Sequence, residues 1–274
     1  MTMFAGCSTS SSSSTKYTQL SAGDFHTCGL TTAGQVKCWG SNDKGQCNVP
    51  SGTFTAVTAG YQHTCALRTD HTIVCWGKQA SGKSAPPEGE FVQIGAGDLH
   101  TCAVAKGPTG GTSGPLQCWG APSYMGDPPK GSFSQVSAGH HHSCALQADA
   151  SILCWGENKE GCTDPPSGSF VDVIAGDRIS CALTASGEHR CWGLGADDPE
   201  SRPDGSFSDL AVGLKQACGV NLEGHIKCAG IRGSDAPSGT FSQVVVGMDH
   251  NCGLKTDKTV VCWGDDLYGQ TTPL

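Results

Sequence analysis

Residues 54–77 read FTAVTAGYQHTCALRTDHTIVCWG, and this stretch decides the fold because the chain writes it seven times. Phe54 to Ala59 alternates apolar and small residues, the pattern of a strand buried on at least one face. Gly60 and two variable residues, Tyr61 and Gln62, follow. His63 to Arg68 reads as a second strand, Thr69-Asp70-His71 as a tight turn and Thr72 to Trp76 as a third strand. Gly77 ends the pattern, and a connector carrying Pro86 and Pro87 leads to the next unit. Each copy holds two cysteines, the second before Trp-Gly or a near match. The pairs are Cys28 with Cys38, Cys65 with Cys75, Cys102 with Cys118, Cys144 with Cys154, Cys181 with Cys191, Cys218 with Cys228 and Cys252 with Cys262. The first cysteines of successive units lie 37, 37, 42, 37, 37 and 34 residues apart. A period of this size marks a solenoid, a propeller or an array.

The cysteine spacing suits a hairpin. If Cys65 faces Cys75, then Leu67 faces Ile73. Opposed residues at a non-hydrogen-bonded antiparallel site have Cα atoms about 4.5 Å apart, within reach of a disulfide. Zinc sites favour about two to four residues between paired cysteines and need four ligands. The spacing therefore predicts one disulfide per unit. Three short strands cannot bury both faces alone, so neighbouring units must stack. The first and last units lack polar caps, which favours a closed ring over an open solenoid. The expected fold is all-β: a seven-bladed β-propeller with short three-stranded blades, spanning residues 17–274, after a flexible Ser-rich tail, residues 1–16.

Composition narrows the function. Of 274 residues only 15% are charged, 39 are glycine and the net charge is −8. No basic stripe is present to neutralise phosphates, which argues against nucleic acid. No apolar stretch approaches membrane-spanning length. Seventeen cysteines point to an oxidising compartment, extracellular or in the cell envelope. Cys7, Cys47 and Cys162 fall outside the pairs; Cys47 and Cys162 are expected as free thiols, or Cys7 reaches Cys47. Met3-Phe4-Ala5-Gly6-Cys7 resembles the end of a bacterial lipoprotein signal, with Cys7 as the lipidation site and the serine run behind it as a tether. The basic and apolar regions of such a signal do not precede it, so a truncated start and an accidental resemblance both stand.

With the repeat laid out, the chain resembles the regulator-of-chromosome-condensation superfamily of propellers. Ala59-Gly60, His63, Ala66-Leu67, Val74, Trp76-Gly77, and Gly45-Gln46 or Gly269-Gln270 carry the resemblance. Within that superfamily it looks most like the bacterial β-lactamase inhibitor protein II type, which has short three-stranded blades and a connector ending as Gly269-Gln270-Thr271-Thr272 does here. The cross-strand cysteines depart from both. The resemblance implies a protein partner, a serine β-lactamase or a penicillin-binding protein; fold likeness alone does not carry function.

Subtracting the repeated residues isolates the site. All six tryptophans hold the Trp-Gly position, six of eight phenylalanines open the first strand, and five of ten histidines (His26, His63, His100, His142, His250) stand two residues before a cysteine. These read as inter-blade packing, core and bonds to neighbouring backbone. Seven pairs of variable residues remain in the strand–strand loops, sharing a rim with the exits after Trp-Gly. Phe25, Tyr61, Tyr124 and Tyr268, with Leu99 and Met248, fall in the adjacent units 7, 1, 2 and 3, and form the expected contact surface together with Asp24 and Asp98. The rim carboxylates converge near the axis or act as turn-formers. His140-His141-His142 does not read as a metal site, because adjacent residues on a strand face opposite ways and no carboxylate is near in sequence. The insertion Gly107 to Pro115 reads as a flexible decoration of the opposite rim. No catalytic motif is present. The expectation is a monomeric, secreted or surface-tethered binding propeller without cofactor, metal or enzymatic activity. It takes a protein partner, with a glycan as the alternative, and meets membrane only through a lipid on Cys7.

Overall fold

A computed structural model of the chain describes residues 15–108, 110–196, 202–214, 216–230 and 236–274. Seven three-stranded antiparallel sheets follow one another, each in the order first, second, third strand. They are blades 1 to 7, spanning residues 17–40, 54–77, 91–120, 133–156, 172–193, 207–230 and 241–264. Blade 2 has strands Phe54–Ala59, His63–Arg68 and Ile73–Gly77. Cys65 faces Cys75 and Leu67 faces Ile73.

All seven intra-blade disulfides are closed, with Cα atoms 4.0 to 4.1 Å apart. They join Cys28 to Cys38, Cys65 to Cys75, Cys102 to Cys118, Cys144 to Cys154, Cys181 to Cys191, Cys218 to Cys228 and Cys252 to Cys262. The two ends of each bridge differ in depth, which the spacing does not foretell. The first cysteine stands on the middle strand and is fully buried in every blade. The second stands on the outer strand: Cys38 is buried, whereas Cys75, Cys118, Cys154, Cys191, Cys228 and Cys262 are half-buried. The outer strand has a neighbour on one side only, so its end of the bridge is covered less.

The first strand departs from plain alternation. A bulge between Phe54 and Ala56 shifts the register. It turns both Phe54 and Val57 into the seam with blade 1, which is why the repeat spaces its large apolar residues three apart. One apolar cluster fills each seam. Between blades 1 and 2 it joins Cys28, Leu30, Val36 and Cys38 to Phe54, Val57, Ala66 and Trp76. Between blades 7 and 1 it joins Cys252 and Leu254 to Tyr17, Leu20 and Trp39. That last seam closes the ring, and Tyr17 N donates to Lys258 O across it at 2.9 Å.

First strands line a central channel enclosing about 390 Å³. Each would present an open edge there. Side chains of the preceding blade cover it. Gln93 accepts from Val136 N at 2.9 Å and donates to Val136 O at 3.0 Å, and Gln243 does the same to Leu20. Ser21, Thr58 and Ser137 accept from Ala59 N, Ala96 N and Ala175 N. The Ala-Gly step ends each strand where blades crowd closest: a Cβ on Gly60 would lie 2.2 Å from Gly97 O. The insertion in blade 3 is anchored rather than loose at its far end, since Gly114 pairs with Phe133 of blade 4.

Candidate binding rim

Histidines hold the rim loops through side chains, not through neighbouring backbone as the sequence suggests. His26 Nε2 lies 2.9 Å from Thr64 Oγ1, and Thr64 Oγ1 donates to Gln46 O at 2.8 Å. The hydroxyl proton is thereby committed, so His26 must be the Nε2–H donor. His63 meets Thr101, His100 meets Ser143, His142 meets Ser180, and His250 meets Thr27. Burial pushes His26 down to about 3 and His100, His142 and His250 to about 4. The two other seams exchange both partners together. Ile179 and Ala217 share one apolar cluster, and the amides of Gln216 and Asn251 face each other.

Exit loops are tied to the rim by a second repeated bond. Ser41 N donates to Phe25 O, Lys78 N to Gln62 O and Asp265 N to Asp249 O, each at 2.8 Å. Each exit then leans onto the next blade, where its carbonyl accepts a tryptophan indole: Trp76 Nε1 to Gln46 O at 2.8 Å, Trp39 Nε1 to Gln270 O at 3.0 Å. The buried Gln270 amide also accepts from Tyr268 N at 2.7 Å. Gly-Gln is therefore the latch of an exit loop, and it sets Tyr268 of blade 7 over blade 1.

This geometry assembles an aromatic cluster from three blades. The Phe25 ring centroid lies 6.0 Å from that of Tyr61 and 5.6 Å from that of Tyr268. Tyr268 is 45% exposed and the adjacent Leu267 75% exposed. Met248 stands beside the cluster at the channel mouth, its N donating to Asp24 O. Leu99 is half-buried one loop further on, and takes part in none of these ring contacts. Tyr124 lies on the short helix α1 (Pro122–Met125); its side chain is outside the described residues, as are Cys7 and the rest of residues 1–14.

Asp24, Asp98 and Asp177 stand at the bends between first and second strands, and with His140 they line the channel mouth. His140 Nδ1 lies 2.5 Å from Asp177 Oδ1, and Nε2 lies 3.5 Å from Asp98 Oδ2. The bond to Asp177 raises the His140 pKa above its ordinary value. Burial, with Asp98 next, pushes Asp24 up to about 7. Burial raises Asp98 too. Although burial opposes it, Asp177 is held low by its bonds to His140 and Arg178.

Sequence reasoning missed Lys83. Its carbonyl accepts from Trp119 Nε1 at 3.0 Å, so it occupies the latch column of Gln46 and Gln270. It is only 2% exposed, its Nζ donates to Asp98 O at 2.9 Å, and it lies 5.8 Å from the Tyr61 ring centre. Burial lowers its pKa to about 8. Gly82-Lys83 in the place of Gly-Gln was the available signal. The histidine triplet splits as well: His142 turns into the seam while the rings of His140 and His141 lie 3.9 Å apart, tilted by 42°. Carboxylates distant in sequence reach the latter two, Asp177 for His140 and Glu157 for His141. No group of three or more His, Cys, Asp or Glu is placed to hold a metal ion among the described residues.

Residues 17–46, 54–83, 133–162 and 241–270 match the regulator of chromosome condensation (RCC1) repeat. Four of the seven blades thus carry this repeat, and the chain is similar to RCC1 propellers. The matched stretches are blades 1, 2, 4 and 7, which keep both histidine and tryptophan; blade 3 carries the insertion, and blades 5 and 6 lack the histidine. No curated protein sequence matches this RCC1-like chain. Solved structures do. The Arabidopsis thaliana receptor kinase ACR4 ectodomain, described as CRINKLY WD40, has a TM-score of 0.75 at 25% identity, covering 91% of this chain and 96% of that one. The entire ectodomain of the Physcomitrella patens receptor kinase CR4 has a TM-score of 0.78 at 24% identity, covering 91% and 74%. Yeast RCC1 (Prp20), solved bound to Kap60, has a TM-score of 0.57 at 16% identity, covering 92% and 70%. With its seven disulfides, this RCC1-like propeller is a protein of an oxidising, extracellular-type compartment.

Proposed function

We propose that the rim of blades 7, 1 and 2 docks a protein partner. The observation that carries this is the cluster Phe25–Tyr61–Tyr268: three side chains absent from the repeat, drawn from three blades into contact and left partly exposed. Aromatic anchors of this kind dominate protein interfaces, and loops on a rigid scaffold are where binding concentrates. The ectodomain relatives and the Kap60-bound yeast propeller support a presenting role for the fold. Residues 17–274 form the binding unit and residues 1–16 a tether, with Cys7 as a lipid anchor at the cell envelope. The resemblance to the inhibitor type makes a serine β-lactamase or a penicillin-binding protein the first partner to test. Absence of inhibition of a class A β-lactamase at micromolar concentration removes that partner alone.

A photo-crosslinking residue tests the rim itself. Placed at position 61 in the native source, it should trap a discrete protein, whereas the same residue at position 178 should not. Trapping at 178 and not at 61 would remove the proposal. A glycan-array signal lost with Tyr61→Ala and Tyr268→Ala would instead favour the carbohydrate reading. Against that reading, the pocket residues of the rim do not repeat from blade to blade as a multivalent lectin would require.

A further inference from the structure

The aromatic cluster borders a channel mouth in which carboxyl groups outnumber basic ones. Asp24, Asp98 and Asp177 stand at the mouth, and Asp172 and Asp209 lie deeper on the same wall. His140 is the one basic side chain lining it among the described residues. That imidazole is already held by Asp177 and Asp98. Lys83 bonds the backbone carbonyl of Asp98 rather than a carboxylate. The Asp24 carboxyl accepts no hydrogen bond among the described residues. Burial first, and Asp98 next, raise its pKa to about 7. Desolvated carboxylates beside exposed rings form a site that an acidic surface would find repulsive.

We infer that the docking partner presents a basic side chain, arginine in preference to lysine, at the tip of the segment that covers Phe25 and Tyr61, and that this tip enters the channel mouth between Asp24 and Asp98. The inference rests on the docking reading above and adds the chemistry of the partner. A guanidinium is planar, stacks on aromatic faces and forks to carboxylates, so it uses rings and acids together. An ammonium satisfies the charge with less use of the rings. The apolar surface around the tip would exclude water from the new pair, where it counts for most. The chain's net charge of −8 favours the encounter of a basic segment.

The test is a titration of the isotopically labelled full chain with N-acetyl-arginine methylamide at low salt, followed by NMR. The isosteric, uncharged citrulline compound is the control. Shifts should centre on residues 24, 25, 61 and 98, and the citrulline compound should produce none there. Asp24→Asn with Asp98→Asn should weaken the arginine probe by about tenfold, equivalent to about 1.4 kcal/mol; Glu223→Gln, an exposed carboxylate at a distant hairpin turn, should leave it unchanged. Equal shifts from both compounds, or shifts elsewhere only, would overturn the inference even if the double variant failed to fold. Its failure is separable from that of the docking reading. A partner lost with Tyr61→Ala but indifferent to the Asp24 and Asp98 changes keeps the docking and removes the basic tip.

Discussion

Blades 7, 1 and 2 and blades 4 and 5 turn the same loop positions to the same rim, and the two arcs come out opposite in chemistry. The first exposes the rings of Phe25, Tyr61 and Tyr268. The second holds its charges against one another: His141 to Glu157 at 2.8 Å, Lys159 to Glu157 at 2.6 Å and Arg178 to Glu160 at 3.4 Å. Beneath them the support is the same. Trp76 donates to Gln46 O and Trp192 to Cys162 O, each at 2.8 Å, and His26–Thr64 is matched by His142–Ser180. The repeat therefore specifies where a loop stands and leaves open what it carries. Exposed ion pairs satisfy themselves and contribute about 0–1 kcal/mol. Exposed rings keep apolar surface in water, and covering it is favourable.

The first way to break this comparison is to disturb the common support. Trp76→Ala and Trp192→Ala should each lower stability by about 3–5 kcal/mol, measured by chemical denaturation. A large loss under one arc only would show that the arcs do not rest on equivalent seams.

Acid gives the next largest effect. Burial depresses His142 to about 4, so the unfolded chain binds the extra proton as pH falls below about 6.5. The neutral-histidine stability is full above that value and is lost progressively down to about 4, a total of ~3 kcal/mol for this site. Asp24 and Asp209, both raised to about 7, act in the opposite sense by taking up protons in the folded state. Comparison with a variant that lacks the histidine cancels their contribution. His142→Ile with Ser180→Ala, which copies the natural Ile179/Ala217 pair, should flatten the fall of the thermal midpoint between pH 6.5 and 4. An unchanged slope would mean that His142 is not the buried neutral group described.

At neutral pH the same seam sharpens the point. Ser180→Ala alone leaves the His142 N–H buried without an acceptor and should cost about 1–3 kcal/mol. The double change should recover much of that, because an apolar pair fits the neighbouring seam. If it is worse than the sum of the single changes, the pairs are not exchangeable units.

Smallest are the rim changes. Tyr61→Ala, Tyr268→Ala and Arg178→Ala should each shift stability by no more than about 0.5 kcal/mol. With a partner in hand, Phe25→Ala, Tyr61→Ala and Tyr268→Ala should weaken binding by about 1–3 kcal/mol each, and Arg178→Ala by less. The reverse order would place the contact on the charged arc.

The first two strand limits in blade 2, the third to within one residue, the cysteine pairing, the facing of Leu67 and Ile73, the burial of the Phe column and that of every Trp but the half-buried Trp263 were legible in the sequence. Each depends on residues within about one unit of each other. The unequal depth of the paired cysteines was not, because it depends on which strand of a blade gains a neighbour. The histidine bonds were legible in principle. The residue after each histidine is Thr27, Thr64, Thr101, Ser143 or Asn251, and the hydroxyl is missing only in the two units that follow Ile179 and Gln216, which carry Ala217 and Asn251. That correlation runs between units, and reading units singly hides it.

What the chain determines by itself is the unit and its count: a hairpin period and a cysteine spacing admit one local geometry, and seven copies of it must stack. Only the tertiary structure decides which loops become neighbours and how deep each side chain lies. Ring closure brings Tyr268 onto Phe25, 243 positions away in a chain of 274, and leaves Leu99 outside the same cluster. The latch loops bury Lys83 beneath Tyr61, and the convergence of first strands on one axis gathers Asp24, Asp98, His140 and Asp177. The physical reason is that packing between units acts on the repeated residues, while the chemistry of the rim depends on distances that those residues set but do not encode.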